Sequence, residues 1–386
     1  MKLPLLAVAG VLAIAPLASA CGSLTEDNNA KSDGAITVNS TDDKCDVSTA
    51  TAGSGPISFK VKNSGTKVTE FYVYGEDGLR IAGEVENIGP GITRDLVLTA
   101  QPGKYFTACK PGMIGKGIRA DFTVTDSGKD TSIKGVDTAT TDAALAQYSS
   151  FVKDQTSQLV PLTEQFVAAY KAGDDAKART LFPQARSHWE SVETVAESFG
   201  DLDPKTDLRE ADLEPGQKWT GWHLIEKDLW PPAKGYTALT DAQRAAAADD
   251  LLGNINTLND RVQTLKYTVD QIANGSKGLL DEVATGKITG EEDIWSHTDL
   301  WDFQANVDGA KVGYETLKPL LDVKDKALST TLGTRFAALQ VLLDKYKVGD
   351  GFVFYDTVTE PQRQELSDAV NALSEPLSKM AGALTL

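Results

Sequence analysis

The chain has 386 residues, which is long enough for two domains with sizeable hydrophobic cores. Apolar residues make up 41% and charged residues 24% of it, the composition of an ordinary soluble globular protein. The net charge of −17, from 38 basic and 55 acidic residues, argues against nucleic acid and against an anionic membrane surface as ligands, and it is compatible with cation binding.

The N-terminus has the features of an export signal. Lys2 provides the positive charge, residues 3–17 form an apolar run too short to span a bilayer, and LASAC at 17–21 has the small residues of a cleavage site. The cysteine directly after that site resembles a bacterial lipobox, which predicts that Cys21 is lipidated; plain secretion is the alternative. Residues 22–35, polar and rich in Asn, Asp and Ser, are predicted to be a flexible tether. We therefore expect an extracytoplasmic protein, either lipid-anchored to the cell membrane or periplasmic.

Residues 36–126 are predicted to form a β-sandwich. Segments 57–62, 68–74, 93–98, 105–109 and 121–124 are short, alternate apolar and polar residues, and are separated by Gly- and Pro-containing turns. The domain contains Cys45 and Cys109. In an exported protein two such cysteines usually form a disulfide.

Residues 127–140 are predicted to be a linker, because Ser, Gly, Asp, Thr and Lys dominate them. From 141 to 386 the hydrophobic period becomes that of helices, which predicts an all-α bundle. The predicted helices are 145–170 with a kink at Pro161, 181–199, 216–230, 251–272, 288–312, 328–347 and 360–384.

The segment WTGWHLIEKDLW at 219–230 carries the main candidate site. On one continuous helix, Trp219, Trp222, His223, Glu226 and Trp230 fall on a single face. An aromatic face of this kind must be buried, and buried polar groups need partners. His223 and Glu226 are therefore either a hydrogen-bonded pair or half of a metal site. All six tryptophans and all three histidines lie between residues 188 and 301, which indicates that this part of the chain builds the functional centre.

Carboxylates that could complete a metal site occur on the neighbouring predicted helices. They are Glu190, Glu193, Glu197, Asp249, Asp250, Glu291, Glu292, Asp293, Asp299, Asp302 and Asp308. One imidazole with several carboxylates suits iron, zinc or manganese, and Cu(II) less selectively. Any single one of these carboxylates could equally be a solvated surface residue.

Two kinds of site are excluded. A zincin peptidase needs H-E-x-x-H, but Leu224 follows His223 and Lys227 occupies the position of the second histidine. An ordinary blue-copper site needs two histidines, and the predicted sandwich contains none. Its candidate ligands are instead Cys45, Cys109, Met113, Glu70 and Glu84, of which the sulfur groups favour Cu(I) and the carboxylates a harder ion.

Long segments of the chain resemble a known family. GWHLIEKDLW, SVETVAESFGDLDP and SHTDLWDFQANVDGA are similar to the signature segments of imelysin-type domains, and VTEFYVYGEDGLRIAGEVENIGPG with the CKPGM run at 109–113 is similar to their N-terminal companion domain. Together they resemble the EfeO-type iron-uptake lipoproteins. That resemblance implies a cupredoxin-like domain followed by a helical imelysin domain, with iron as the transported ion. It also implies a membrane iron permease and a haem-dependent peroxidase as partners, with no nucleic acid and with membrane contact through a lipid anchor only.

The resemblance also implies ligands. The imelysin H-x-x-E falls on His223 and Glu226, further acidic ligands fall on Asp249 and Asp308, and Glu190 is added from the residues alone. In the β domain the resemblance points to Cys45, Glu70 and Cys109, an arrangement that a disulfide would exclude unless redox chemistry switches between the two.

Three functions compete on the sequence. The first is an iron-binding component that delivers its ion to a permease; copper and zinc stay open as ions. The second is an imelysin-type metallopeptidase, which the missing second histidine disfavours. The third is an adhesion or polysaccharide-binding module in which His223 and Glu226 are only structural.

Overall fold

The N-terminal part of the chain folds into β-strands that alternate buried and exposed residues. The computed structural model describes residues 34–128 and 132–385. The predicted export segment, Cys21 and nearly all of the predicted tether lie outside these residues. The strands are β1 Ile36–Ser40, β2 Cys45–Val47, β3 Thr51–Gly53, β4 Gly55–Asn63, β5 Thr69–Tyr74, β6 Ile81–Ile88, β7 Thr93–Ala100, β8 Gly103–Cys109 and β9 Ile118–Thr125.

These strands form two facing sheets, which confirms the predicted sandwich. One sheet has the order β2-β1-β4-β7 and the other the order β3-β9-β8-β5-β6. The alternation along β4 buries Ile57, Phe59 and Val61, and they pack with Phe71 and Phe122 of the opposite sheet. The inner faces of the two sheets therefore share one hydrophobic core.

The C-terminal part is the predicted helical domain. Its helices are α1 Thr138–Lys171, α2 Asp175–Glu190, α3 Asp203–Thr206, α4 Trp222–Leu229, α5 Asp241–Val262, α6 Val269–Thr285, α7 Asp299–Lys324, α8 Lys326–Leu343, α9 Glu360–Leu377 and α10 Met380–Thr385, with a small hairpin of β10 Lys347–Val348 and β11 Gly351–Phe352. Threonines that form capping boxes start α5, α6 and α9. Within the described residues, none of the helices is both long and apolar enough to cross a membrane.

Several predicted helix limits were wrong. Helix α1 continues through Pro161, and the predicted helix 251–272 is two helices, because Thr268 caps α6 after α5 has ended at Val262. The predicted helix 181–199 ends at Glu190 and continues only as a 3-10 turn, Glu193–Phe199. The predicted helix 288–312 begins only at Asp299, as α7, because the segment before it is largely irregular. Trp219 lies before α4 and not on it.

The sandwich and the helical domain pack into one compact unit, Ala35–Leu386. Helix α6 lies along β7, the edge strand of the smaller sheet. Asp270 Oδ2 accepts a hydrogen bond from the backbone N–H of Thr99 (2.6 Å), and the Asn274 side-chain amide donates to the carbonyl of Val97 (2.6 Å). Two side chains one turn apart on α6 thus form hydrogen bonds with backbone groups on the free edge of the smaller sheet.

Candidate metal centre

The short helix α4 brings His223 and Glu226 into the interior of the helical domain. Gly221, which precedes it, has a φ of +93°, and a Cβ there would lie 2.1 Å from the carbonyl oxygen of Thr206. Only glycine fits this combination of backbone conformation and close approach. His223 and Glu226 are both fully buried, and His223 Nδ1 lies 3.0 Å from Glu226 Oε2.

The other oxygen of Glu226 is also held. Glu226 Oε1 accepts hydrogen bonds from the backbone N–H groups of Trp295 (3.0 Å) and Ser296 (2.8 Å), in the irregular segment before α7. With both oxygens occupied, Glu226 fixes the orientation of the imidazole and holds a proton on Nδ1.

The second nitrogen of His223 faces two further carboxylates. Nε2 lies 3.3 Å from Asp207 Oδ1 and 3.6 Å from Glu292 Oε1, yet it makes no hydrogen bond of good geometry. These three side chains place their ligand atoms within 4.8 Å of one another. An imidazole nitrogen and two carboxylate oxygens are suitable ligands for a borderline or hard cation.

The protonation of these groups follows from their surroundings. Burial and the charge of Arg186 act to lower the pKa of His223, but its contacts with Asp207, Glu226 and Glu292 outweigh them and raise that pKa well above its ordinary value. Burial alone would raise the pKa of Asp207, but Arg186 and His223 hold it well below its usual range. A cation that bound at His223 Nε2 would therefore compete with a proton there, and its affinity would rise with pH.

Two cations of the chain itself are buried beside this centre. Arg186 is fully buried and forms ion pairs with Glu190 and Asp207, with Glu292 and Asp302 at 3.1 Å each, and with Asp293 at 3.7 Å. Arg186 thus neutralises part of the negative charge of these carboxylates, whose burial would otherwise cost too much free energy.

The second of these cations is Lys287. It is also buried and lies 2.6 Å from Glu190, 2.9 Å from Glu193 and 3.5 Å from Glu292. Asn306 on α7 donates to Glu190 Oε2 (2.8 Å) and so completes this side of the cluster.

Within the part of the chain that the structure describes, four groups of side chains have metal-binding geometry. They are Asp207, His223 and Glu292; His223, Glu226 and Asp293; Glu190, Glu193 and Asp207; and Glu190, Glu292 and Asp302. Lys287 contacts two members of the third group and Arg186 all three members of the fourth. The first group includes His223 Nε2, a buried nitrogen that makes no hydrogen bond; the second and fourth groups include buried oxygens without one, Asp293 Oδ1 and Asp302 Oδ1.

The residues predicted from the sequence are only partly brought together. His223 and Glu226 adjoin, and Glu190 lies in the same acidic cluster, where it contacts Arg186 and Lys287. Asp249 is instead 65% exposed and paired with Lys171. Asp308 is exposed on α7, where it accepts a hydrogen bond from Gln304.

Three important residues were missed by the sequence analysis: Asp207, Arg186 and Lys287. Asp207 stands just after α3 in a segment without clear periodicity, so no pattern directs it inward. Arg186 and Lys287 are residue types that are usually exposed. One feature of the sequence could have indicated Arg186: it stands one turn before Glu190 on α2, the spacing of an ion pair on a helix.

In the β domain, Cys45 and Cys109 form a disulfide, with a Cα–Cα distance of 5.5 Å. Of the two alternatives that the sequence left open, the structure has the disulfide. Sulfurs joined in this way are not thiolate ligands, so the second metal site built on them does not form in this oxidation state. Cys109 lies in the sandwich core, whereas Met113 is exposed in a turn.

Glu70 and Glu84 lie on the outer face of the larger sheet. The Tyr72 hydroxyl lies 2.9 Å from Glu70 and 3.0 Å from Glu86, and it can donate to only one of them at a time. Burial and the charge of Glu86 raise the pKa of Glu70 to about 7. Burial, Glu86 and Glu197 of the helical domain raise the pKa of Glu84 well above its ordinary value. The outer face of this sheet is therefore acidic where it meets the helical domain.

Fold and centre together define a class: a β-sandwich joined to a helical domain that holds a buried histidine–carboxylate cluster. Comparison with known protein families agrees with this division into a β-sandwich and a helical domain. The imelysin family model matches residues 144–380, and the cupredoxin-like domain model matches residues 10–124. The chain belongs to the imelysin family, in the branch in which a cupredoxin-like domain comes first.

Individual relatives extend this finding. An "Efem/EfeO family lipoprotein" of Staphylococcus haemolyticus is 45% identical over 69% of this chain and 92% of its own. The "Iron uptake system component EfeO" of Escherichia coli K12 is 34% identical over 91% of this chain and 92% of its own. Among solved structures, reduced auracyanin of Roseiflexus castenholzii shares 21% identity over 24% of this chain and 97% of its own, with a TM-score of 0.21, a likeness too small to add to the argument. The alignment with the Escherichia coli relative, which covers 91% of this chain, extends over both domains.

Proposed function

We propose that this protein is the ion-binding component of an iron uptake system outside the cytoplasm. Its helical domain would bind iron through His223 Nε2, Asp207 and Glu292, while Glu226 orients the imidazole. The observation that carries the proposal is the buried Nε2, which has no hydrogen-bond partner and faces two carboxylates at 3.3 and 3.6 Å. The name of the Escherichia coli relative, which describes iron uptake, supports iron as the ion over copper or zinc.

The resemblance described from the sequence implies a wider setting for this function. We expect lipidation of Cys21, anchorage to the cell membrane, and delivery of the ion to a membrane permease that works with a haem-dependent peroxidase. The name of the Staphylococcus haemolyticus relative describes a lipoprotein, which supports the anchor.

A non-enzymatic role is favoured over a peptidase. A metallopeptidase needs a metal-bound water and a free general base beside it. Glu226, the acidic residue closest to His223 in sequence, has both oxygens engaged in hydrogen bonds. It is therefore not available as that base.

Substitution of His223 tests the proposal. His223→Ala should lower the affinity for Fe²⁺, measured by anaerobic titration calorimetry, by an order of magnitude or more, because the only nitrogen ligand is removed. Asp207→Asn should have a similar effect, because it removes one of the two carboxylates that face Nε2.

Two matched variants serve as controls. Asp249→Ala removes an exposed carboxylate, and His188→Ala removes a histidine that contacts Gln155 instead of the cluster. Both should bind Fe²⁺ like the wild type. Unchanged binding in His223→Ala would overturn the proposal.

A further inference from the structure

Arg186 interacts with the same oxygen atoms that face His223 Nε2. Its Nη1 contacts Asp207 Oδ1, which lies 3.3 Å from His223 Nε2. Its Nη2 lies 3.1 Å from Glu292 Oε1, which lies 3.6 Å from His223 Nε2. A cation at Nε2 would therefore share these two carboxylate oxygens with the guanidinium.

This guanidinium is held firmly in place. Arg186 has no exposed surface, and its other contacts are with Glu190, Asp293 and Asp302. An arginine does not lose its proton in a protein, so it cannot make room by becoming neutral. Its planar fork suits several carboxylates at once.

We propose that Arg186 is a resident counter-cation that competes with the transported ion and lowers the affinity of the centre, so that the ion can be released. In the ion-free protein the guanidinium neutralises Asp207 and Glu292 and keeps them near His223. When the ion binds, these carboxylates exchange the guanidinium for the ion, and the two positive charges repel each other at short range. A carrier that must deliver its ion benefits from this limit on affinity.

This inference rests on the proposed function. The alternative role for Arg186 is to arrange the carboxylates for the ion instead of competing with it. If Arg186 only arranges the carboxylates, its removal would disorder them and weaken ion binding. If it competes, its removal would strengthen ion binding. The sign of the change in affinity therefore separates the two roles.

The test is titration calorimetry with Zn²⁺, an ion without redox chemistry, on the full chain after its metal has been removed. Arg186→Gln should lower the dissociation constant by about tenfold or more, because a charge that repels the ion is lost from a buried site. Arg186→Lys, which keeps the charge, should bind with an affinity closer to the wild type than to Arg186→Gln.

Arg244→Gln is the matched control. Arg244 is a partly buried arginine of the same domain, paired with Asp175 and Asp228 instead of the cluster. It should bind Zn²⁺ like the wild type. Unchanged or weaker binding in folded Arg186→Gln overturns the inference.

A second measurement covers the case in which Arg186→Gln does not fold without an ion. A crystal structure of the wild type with Zn²⁺ should show that Asp207 or Glu292 has left Arg186 to coordinate the ion. Retention of both contacts around a bound ion would overturn the inference.

Failure of this inference and failure of the proposed function give different results. If the wild type binds neither Zn²⁺ nor Fe²⁺, the proposed function itself fails. If the wild type binds an ion and only the effect of Arg186 is absent, the proposed function stands.

Discussion

The two nitrogens of His223 have different surroundings. Nδ1 faces Glu226, whose remaining oxygen is fixed by two backbone N–H groups, and Nε2 faces Asp207 and Glu292 without a hydrogen bond. In the neutral imidazole, a proton on Nδ1 leaves the lone pair of Nε2 free. In the proposed ion site Glu226 would thus act through His223, and the H-x-x-E spacing would supply a ligand together with the residue that orients it.

Substitution of Glu226 by Gln should expose this orienting role. The amide oxygen would stay with the N–H groups of Trp295 and Ser296, so the NH₂ group would face Nδ1. Neutral His223 would then carry its proton on Nε2, where we propose that the ion binds, and we expect the affinity for Fe²⁺ to fall about 10–100-fold. Calorimetry would measure the affinity and nitrogen-15 NMR of the imidazole the tautomer. An unchanged tautomer with unchanged affinity would refute this role.

Glu70 should make the stability of the β domain depend on pH. Its pKa is 4.5 ordinarily and about 7 in the fold, where burial and then Glu86 are the main causes. Between these values the folded state binds more protons than the unfolded state, so stability should decrease as pH rises from about 4.5 to about 7 and then level off.

Glu70→Gln should remove the part of this decrease that comes from Glu70, leaving the part from Glu84, and stabilise β5 at pH 8 by on the order of 1–3 kcal/mol. Native-state hydrogen exchange of the β5 amides at pH 5 and pH 8 would measure it. Glu76→Gln, in the exposed turn after β5, is the control and should follow the wild-type profile. A wild-type profile that stays flat between the two pH values would contradict the prediction.

At the scale of single residues, the sequence predicted His223 and Glu226 because a fixed spacing on one helix face is a local property. Asp207 and Glu292 lie in irregular segments, where no period indicates which way a side chain points. Their approach to His223 depends on how α3, α4 and α7 pack, which no local pattern contains. Asp249, which was predicted as a ligand from the resemblance, is exposed on α5.

Among the elements, the short helix α4 depends on what precedes it. Gly221→Ala would force a Cβ to within 2.1 Å of the Thr206 carbonyl oxygen at a φ of +93°. We expect a loss of at least about 3 kcal/mol in the stability of the helical domain, from strain and steric overlap together. Urea unfolding followed by tryptophan fluorescence reports on this domain, because all six tryptophans lie in it.

Gly253→Ala is the matched control for this prediction. Gly253 lies inside α5 with open space around its Cα, so the alanine should stabilise the helix by about 0.5–1 kcal/mol. Equal effects of the two substitutions would contradict the argument from Gly221. The sequence placed the start of α4 too early, at residue 216, because its aromatic spacing does not reveal the left-handed backbone of Gly221.

On the scale of the whole molecule, the sequence predicted both domains but not their junction. Hydrophobic period distinguishes a sandwich from a bundle, since each pattern repeats along its own segment. The contact of α6 with β7 joins residues far apart in the chain through single polar side chains. Asp270 is almost fully buried and leaves Oδ1 without a partner, a cost that its hydrogen bond to the edge strand must offset.

Asp270→Ala should therefore loosen the junction between the two domains. Without the carboxylate the partly buried N–H of Thr99 loses its acceptor, which costs about 1–2 kcal/mol. Amide hydrogen exchange at Thr99 should accelerate, while exchange in the centre of β4 stays unchanged because the sandwich core is intact. Asp270→Asn keeps an acceptor oxygen and should retain most of the protection. If Thr99 stays equally protected in Asp270→Ala, another contact holds the edge strand; if Asp270→Asn exposes Thr99 as much as Asp270→Ala does, the negative charge matters more than the hydrogen bond.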